Sequence, residues 1–221
     1  MFKQIFEMFK SDSLYEQALS ECHEMLEIDR KMFNESINAL RNSDSAEIPI
    51  DIYEMDKKIN SFERDVRRKV MTHLAISGNN DLGSGLVLTS VVIDIERIGD
   101  YTKNIYDLAV NYPKRLSVDI LEDRIAKLEE DTKTYFNDTI DAFKNQDIDS
   151  SRSLMNSYKD EISKESQGIV EDIISGKIDG ISASDSASIV LYARYLKRIA
   201  AHSRNLISSI VNPFERIGYP E

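Results

Sequence analysis

The chain has 221 residues, 30% of them charged and 41% hydrophobic, with 8 Gly, 4 Pro, one Cys and a net charge of −11. That length suits one large domain or two small ones, the composition is that of a folded soluble chain rather than a disordered one, and no apolar run approaches the roughly 20 residues needed to span a bilayer. The acidic balance, without a basic stripe, argues against nucleic acid as a direct partner. Residues 1–10, MFKQIFEMFK, lack the continuous apolar core and cleavage site of a signal peptide. Their aromatics alternate with Lys, which suits a segment packed on the fold or on a dimer partner, or else an interfacial helix.

Helical periodicity dominates and strand alternation is nearly absent. A first helix opens at the capping box Ser13–Leu14–Tyr15–Glu16. It carries Leu14, Ala18, Cys22, Met25, Leu26, Met32, Phe33, Ile37 and Leu40 on one side. Cys22 on that stripe reads as a small buried residue in a reducing cytosol. A break from 42 to 49 follows. The second helix starts near Asp51, with Ile52, Met55, Ile59, Phe62, Val66, Val70 and Leu74 spaced three and four apart, and stops in the loop SGNNDLGSG. The third is expected from about Leu86 to Asn111, closed by Pro113. A fourth ends near Asn145, a fifth runs from about Asp149 to Ser175, and a sixth runs from about Ser184 to Pro213.

The second triplet repeats the first. DIERIGDYTKN (94–104) lies over YLKRIAAHSRN (195–205), and Met55, Ile59, Val66 and Val70 lie over Tyr158, Ile162, Ile169 and Ile173. The expected architecture is all-α: two tandem antiparallel three-helix bundles at 13–112 and 113–211, with an N-terminal segment 1–12 and a tail 212–221.

The third helix has a core face of Leu88, Val91, Ile95, Ile98, Thr102 and Ile105, bordered by an acidic stripe. Glu96 and Asp100 stand four apart and stack on one face, with Asp107 continuing the line. Like charges at that spacing repel, and a cation removes the cost. Hard oxygen donors without His or Cys suit Mg²⁺, Ca²⁺, Mn²⁺ or iron. The competing reading is a solvated helix edge. Gly99, costly in mid-helix, suggests close approach of another helix. No Glu-x-x-His signature of a di-iron bundle occurs, and SGNNDLGSG lacks the Lys and Ser/Thr of a nucleotide P-loop.

At these residues the sequence resembles the PhoU family of phosphate-transport and phosphate-signalling regulators. That family carries two copies of a helical pattern near D-L-E-R-I-G/A-D-H-x-x-N-I-A. Here they read D-I-E-R-I-G-D-Y-T-K-N-I-Y and Y-L-K-R-I-A-A-H-S-R-N-L-I. The resemblance covers about residues 13 to 211. It implies a cytoplasmic, non-enzymatic and dimeric regulator working beside a membrane phosphate transporter or a sensor histidine kinase, and peripheral to the membrane only through those partners. It also implies metal binding by the E/D-x-x-x-D carboxylates, which here are Glu96 and Asp100, with Asp94 and Asp56 as further candidates. The second copy departs from the pattern. Tyr195, Lys197 and Ala201 replace its acids, and Lys159 stands where Asp56 does, so a metal is expected on the first repeat only. Lys197, Arg198, His202 and Arg204 then read either as a contact for an anion or acidic partner, or as plain solvated helix. The alternatives to a regulator are a carboxylate-bridged metalloenzyme on a helical bundle and a generic helical adaptor.

Overall fold

The computed structural model describes residues 13–77, 81–112 and 114–220. The roles expected of residues 1–10 and of Pro113 lie outside them. Six long helices form. They are α1 (Leu14–Arg41), α2 (Ile52–Ser77), α3 (Leu82–Asn111), α4 (Glu122–Asn145), a fifth built of α5 (Ile148–Tyr158) and α6 (Lys164–Ile174), and α7 (Ala183–Val211). No strand occurs among the described residues.

The capping box at Ser13 forms as its sequence dictates. Ser13 Oγ accepts from the Glu16 amide at 3.1 Å, and the Ser13 amide donates to Glu16 Oε2 at 3.2 Å. Helix α3 starts four residues earlier than expected. Leu82 to Gly85 belong to its first turn, so the connection from α2 is short. Gly85 serves packing there, because a Cβ on it would lie 2.9 Å from Leu74 Cδ1. The fifth helix is interrupted by a π-helical turn, Lys159–Ser163.

Helices α1, α2 and α3 pack on one another as the first bundle, and α4, α5–α6 and α7 as the second. The core faces close as the spacing requires: Leu88, Val91, Ile95, Ile98, Thr102 and Ile105 are all buried. A fully buried Leu or Ile is worth roughly 1.5–3 kcal/mol. The two bundles are fused through their third helices, α3 against α7, with a smaller contact of α1 on α4. Equivalent residues of the two copies meet across this seam, as at a local twofold axis. Tyr101 stacks on His202 at 5.7 Å, and Phe33 meets Phe136 edge-on at 6.0 Å. The segment joining the bundles is tied to the end of α1. Leu116 N donates to Leu40 O at 2.7 Å, and Arg41, almost wholly buried, reaches the Leu116 carbonyl and pairs with Glu122 and Glu129.

Candidate functional site

Three of the four candidate carboxylates gather at one place. Asp56 on α2 and Asp100 on α3 are bridged by Lys103, whose Nζ donates to Asp56 Oδ1 at 2.7 Å and to Asp100 Oδ1 at 3.3 Å. Arg97 takes the other Asp100 oxygen at 2.6 Å and lies 3.5 Å from Glu96. Burial, and next the charge of Asp100, raise the Glu96 carboxyl above its ordinary range. Burial pulls the Lys103 ammonium down, but its hydrogen bonds and the charges of Asp56 and Asp100 outweigh this and hold it above the usual lysine value.

A fourth carboxylate completes the group. Asp29 on α1 has no solvent exposure, and neither of its oxygens has a hydrogen-bond partner. Burial first, then the charges of Glu96, Asp56 and Asp100, push it well above the normal range. Gly99 makes room for it. A Cβ at Gly99 would lie 2.8 Å from Asp29 Oδ1 and 3.0 Å from Ile59 Cδ1, which is the close approach the mid-helix glycine suggested. Asp29 sits at a core position of α1, between Met25 and Met32.

Asp94 does not join the cluster. Two residues before Glu96, it turns about 200° away around the helix and faces α7. There it accepts from His202 Nδ1 at 2.7 Å and Asn205 Nδ2 at 2.9 Å. Arg198 donates to His202 Nε2 at 3.1 Å, so the two contacts together define the Nδ1–H tautomer. The contact of Tyr195 with Tyr101, 6.1 Å between ring centroids, is the twofold counterpart of the Asp94–His202 pair. Asp94 thus stands apart from the other three candidates, and its carboxylate links α3 to α7. Asp107 is likewise engaged elsewhere, accepting from Tyr53 Oη at 2.7 Å.

The donor chemistry of Asp29, Asp56, Glu96 and Asp100 fits a hard cation, and the orphaned oxygens of Asp29 would welcome one. The present arrangement is filled differently. Lys103 stands between Asp56 and Asp100, and among the described residues no three His, Cys, Asp or Glu side chains converge to hold one ion.

Paired three-helix repeats fused through their third helices, one bearing an internally neutralised acidic face, define a class of duplicated helical-repeat protein. The chain belongs to the PhoU family: the profile of the PhoU domain matches residues 22–109 and again 125–210. PhoU from Pseudomonas aeruginosa superposes with a TM-score of 0.80 at 22% identity, over 92% of this chain and 97% of that one. The phosphate transport system regulatory protein PhoU from Streptococcus pneumoniae gives 0.76 at 18% identity, over 89% and 93%. At such identities these likenesses establish the fold. No curated protein matches at a significant level. No helix among the described residues is long and apolar enough to cross a membrane.

Proposed function

We propose that the protein is a non-enzymatic regulator of phosphate uptake or of phosphate-responsive signalling. The match of the PhoU domain to both halves of the chain carries this reading. It would act in the cytoplasm, as a homodimer, docking helices against a membrane phosphate-transporter component or a sensor kinase. An exposed apolar stripe on α3 supports docking: Leu82, Leu86 and Ile93 fall on one helical face and stand 37–46% exposed. The acidic face of the first repeat is paired internally by Lys103 and Arg97.

A metal enters the proposal in one form. A hard cation, iron, manganese, magnesium or calcium, would take the place of the Lys103 ammonium and be held by Asp56, Glu96 and Asp100, with Asp29 behind them.

Deleting the gene in its native host should deregulate phosphate uptake and phosphate-responsive transcription, and this chain should restore both. Unchanged uptake and transcription after deletion would sink the reading.

A further inference from the structure

The second copy of the repeat keeps the framework of the first and exchanges its charges. The motif register places Lys197, Ala201 and Arg204 on α7 where α3 has Glu96, Asp100 and Lys103. Residues 186–214 contain no Asp or Glu but hold Arg194, Lys197, Arg198 and Arg204, in a chain of net charge −11. Lys103 has two carboxylates. None of the four α7 cations forms an ion pair with a described residue. Lys197 reaches Gln167 Oε1 at 3.5 Å, Arg198 reaches Tyr101 and His202, and Arg204 reaches the Gly218 carbonyl at 3.4 Å.

Beside Arg204 two buried donors lack acceptors. Its Nε has no partner, and neither does the hydroxyl of Tyr135, a residue only 3% exposed. Tyr158 joins them: the Arg204 guanidinium lies over its ring at 5.6 Å, and its ring centroid is 6.1 Å from that of Tyr135. Tyr158 is the last residue before the π-helical turn, a local widening that recurs at functional sites. The side chain of Lys159, at the Asp56 position, lies outside the described residues.

Buried donors without acceptors are costly, and a guanidinium with no counter-charge more so. An acceptor-rich, negatively charged ligand relieves both costs at once; a cation or an apolar group relieves neither. Charge-assisted N–H···O⁻ bonds are also about twice as strong as neutral ones. We propose that the second repeat binds a tetrahedral oxyanion of the phosphate or sulfate class at Arg204 and Tyr135, beside Tyr158, with Lys197 and Arg198 supplying the attracting field. The pseudo-symmetric place in the first repeat is the acidic cluster, so duplication has yielded one cationic and one anionic version of the same face. The inference does not depend on the regulatory role, since it is read on the purified chain.

The test is calorimetric titration of the full chain with sodium phosphate, sulfate and acetate at fixed ionic strength. The Arg Nε–H signals in ¹H–¹⁵N spectra are followed in parallel. Saturable binding of phosphate or sulfate, with a shift of the Arg204 Nε–H signal, is expected. Binding should weaken at least tenfold in Arg204→Gln. It should weaken equally in Ala201→Asp, which installs beside Arg204 the carboxylate that Asp100 provides beside Lys103. Ala201→Asp should melt no lower than the parent, so it decides the matter even if Arg204→Gln folds poorly. No saturable binding, equal binding of acetate, or full binding by Ala201→Asp would each overturn the proposal.

Discussion

Replacing Gly99 by Ala tests the close approach of α1 and α2 to α3. In an open helix the change stabilises by about 1 kcal/mol. Here the new methyl would meet Asp29 Oδ1 at 2.8 Å and Ile59 Cδ1 at 3.0 Å, and both residues are buried. Overpacking of this kind costs roughly 1–3 kcal/mol. The net expectation is a loss of about 1 kcal/mol, or about 2–4 °C in melting temperature for a chain of this size. Asp29→Ala removes the oxygen and vacates the space the methyl needs. In that background Gly99→Ala should become neutral or stabilising, giving a coupling of about 1 kcal/mol or more between the two sites. Urea unfolding of the four proteins of this cycle, followed by circular dichroism, measures it. If Gly99→Ala stabilised both backgrounds by the same 1 kcal/mol, the geometry of this cluster would be refuted.

Three further outcomes follow from the same region and from the seam. Asp29 has a raised folded-state value, so folding favours its protonated form: its contribution is fully present below the unfolded carboxyl range and is lost as pH rises through the folded value. Asp29→Asn should therefore gain on the parent by up to about 1.4 kcal/mol per pH unit as pH climbs from 4 towards that value. A stability difference that stays flat between pH 4 and 8 in the presence of chelator would contradict this. Lys103→Met leaves Asp56 and Asp100 without their ammonium and should cost about 1–3 kcal/mol. Added Mn²⁺ should recover more stability in this variant than in the parent, and equal shifts in both would argue against a cation site there. Asp94→Ala strips the acceptor from His202 and Asn205 and should cost about 1–3 kcal/mol in urea unfolding, whereas a cost below about 0.5 would deny the seam its polar contribution.

Much of the fold is written in local periodicity. The buried face of α3, the cap at Ser13 and the duplication all depend on residue spacing within one helix, and spacing is what a sequence displays. The interruption of the fifth helix left a fainter trace. Leu154, Tyr158 and Ile162 recur every four residues rather than in alternating threes and fours, a pitch wider than that of the α-helix. The acidic cluster was half legible. Glu96 and Asp100 share a helix face, and Asp56 sits at an equivalent point of the repeat. Asp29 was missed although it occupies a core position of its helix, four residues after Met25 and three before Met32, where a carboxylate stands out. Asp94 faces α7 and not the cluster, because closeness in sequence to Glu96 hides a rotation of more than half a turn. The pairing of Lys103 with Asp56 lies across 47 residues, and only the packing of α2 on α3 reveals it.

The fusion of α3 to α7 bears on how the duplicated halves came to differ. Each half covers the other's third helix, so a chain cut in the segment between Asn111 and Asp119 would leave two fragments, each with an uncovered strip along its third helix. Such fragments should find one another in solution and rebuild the intact molecule. Two ancestral copies joined in this way could exchange the charges on their outer faces freely, because the strip that holds them together lies on the other side of the same two helices.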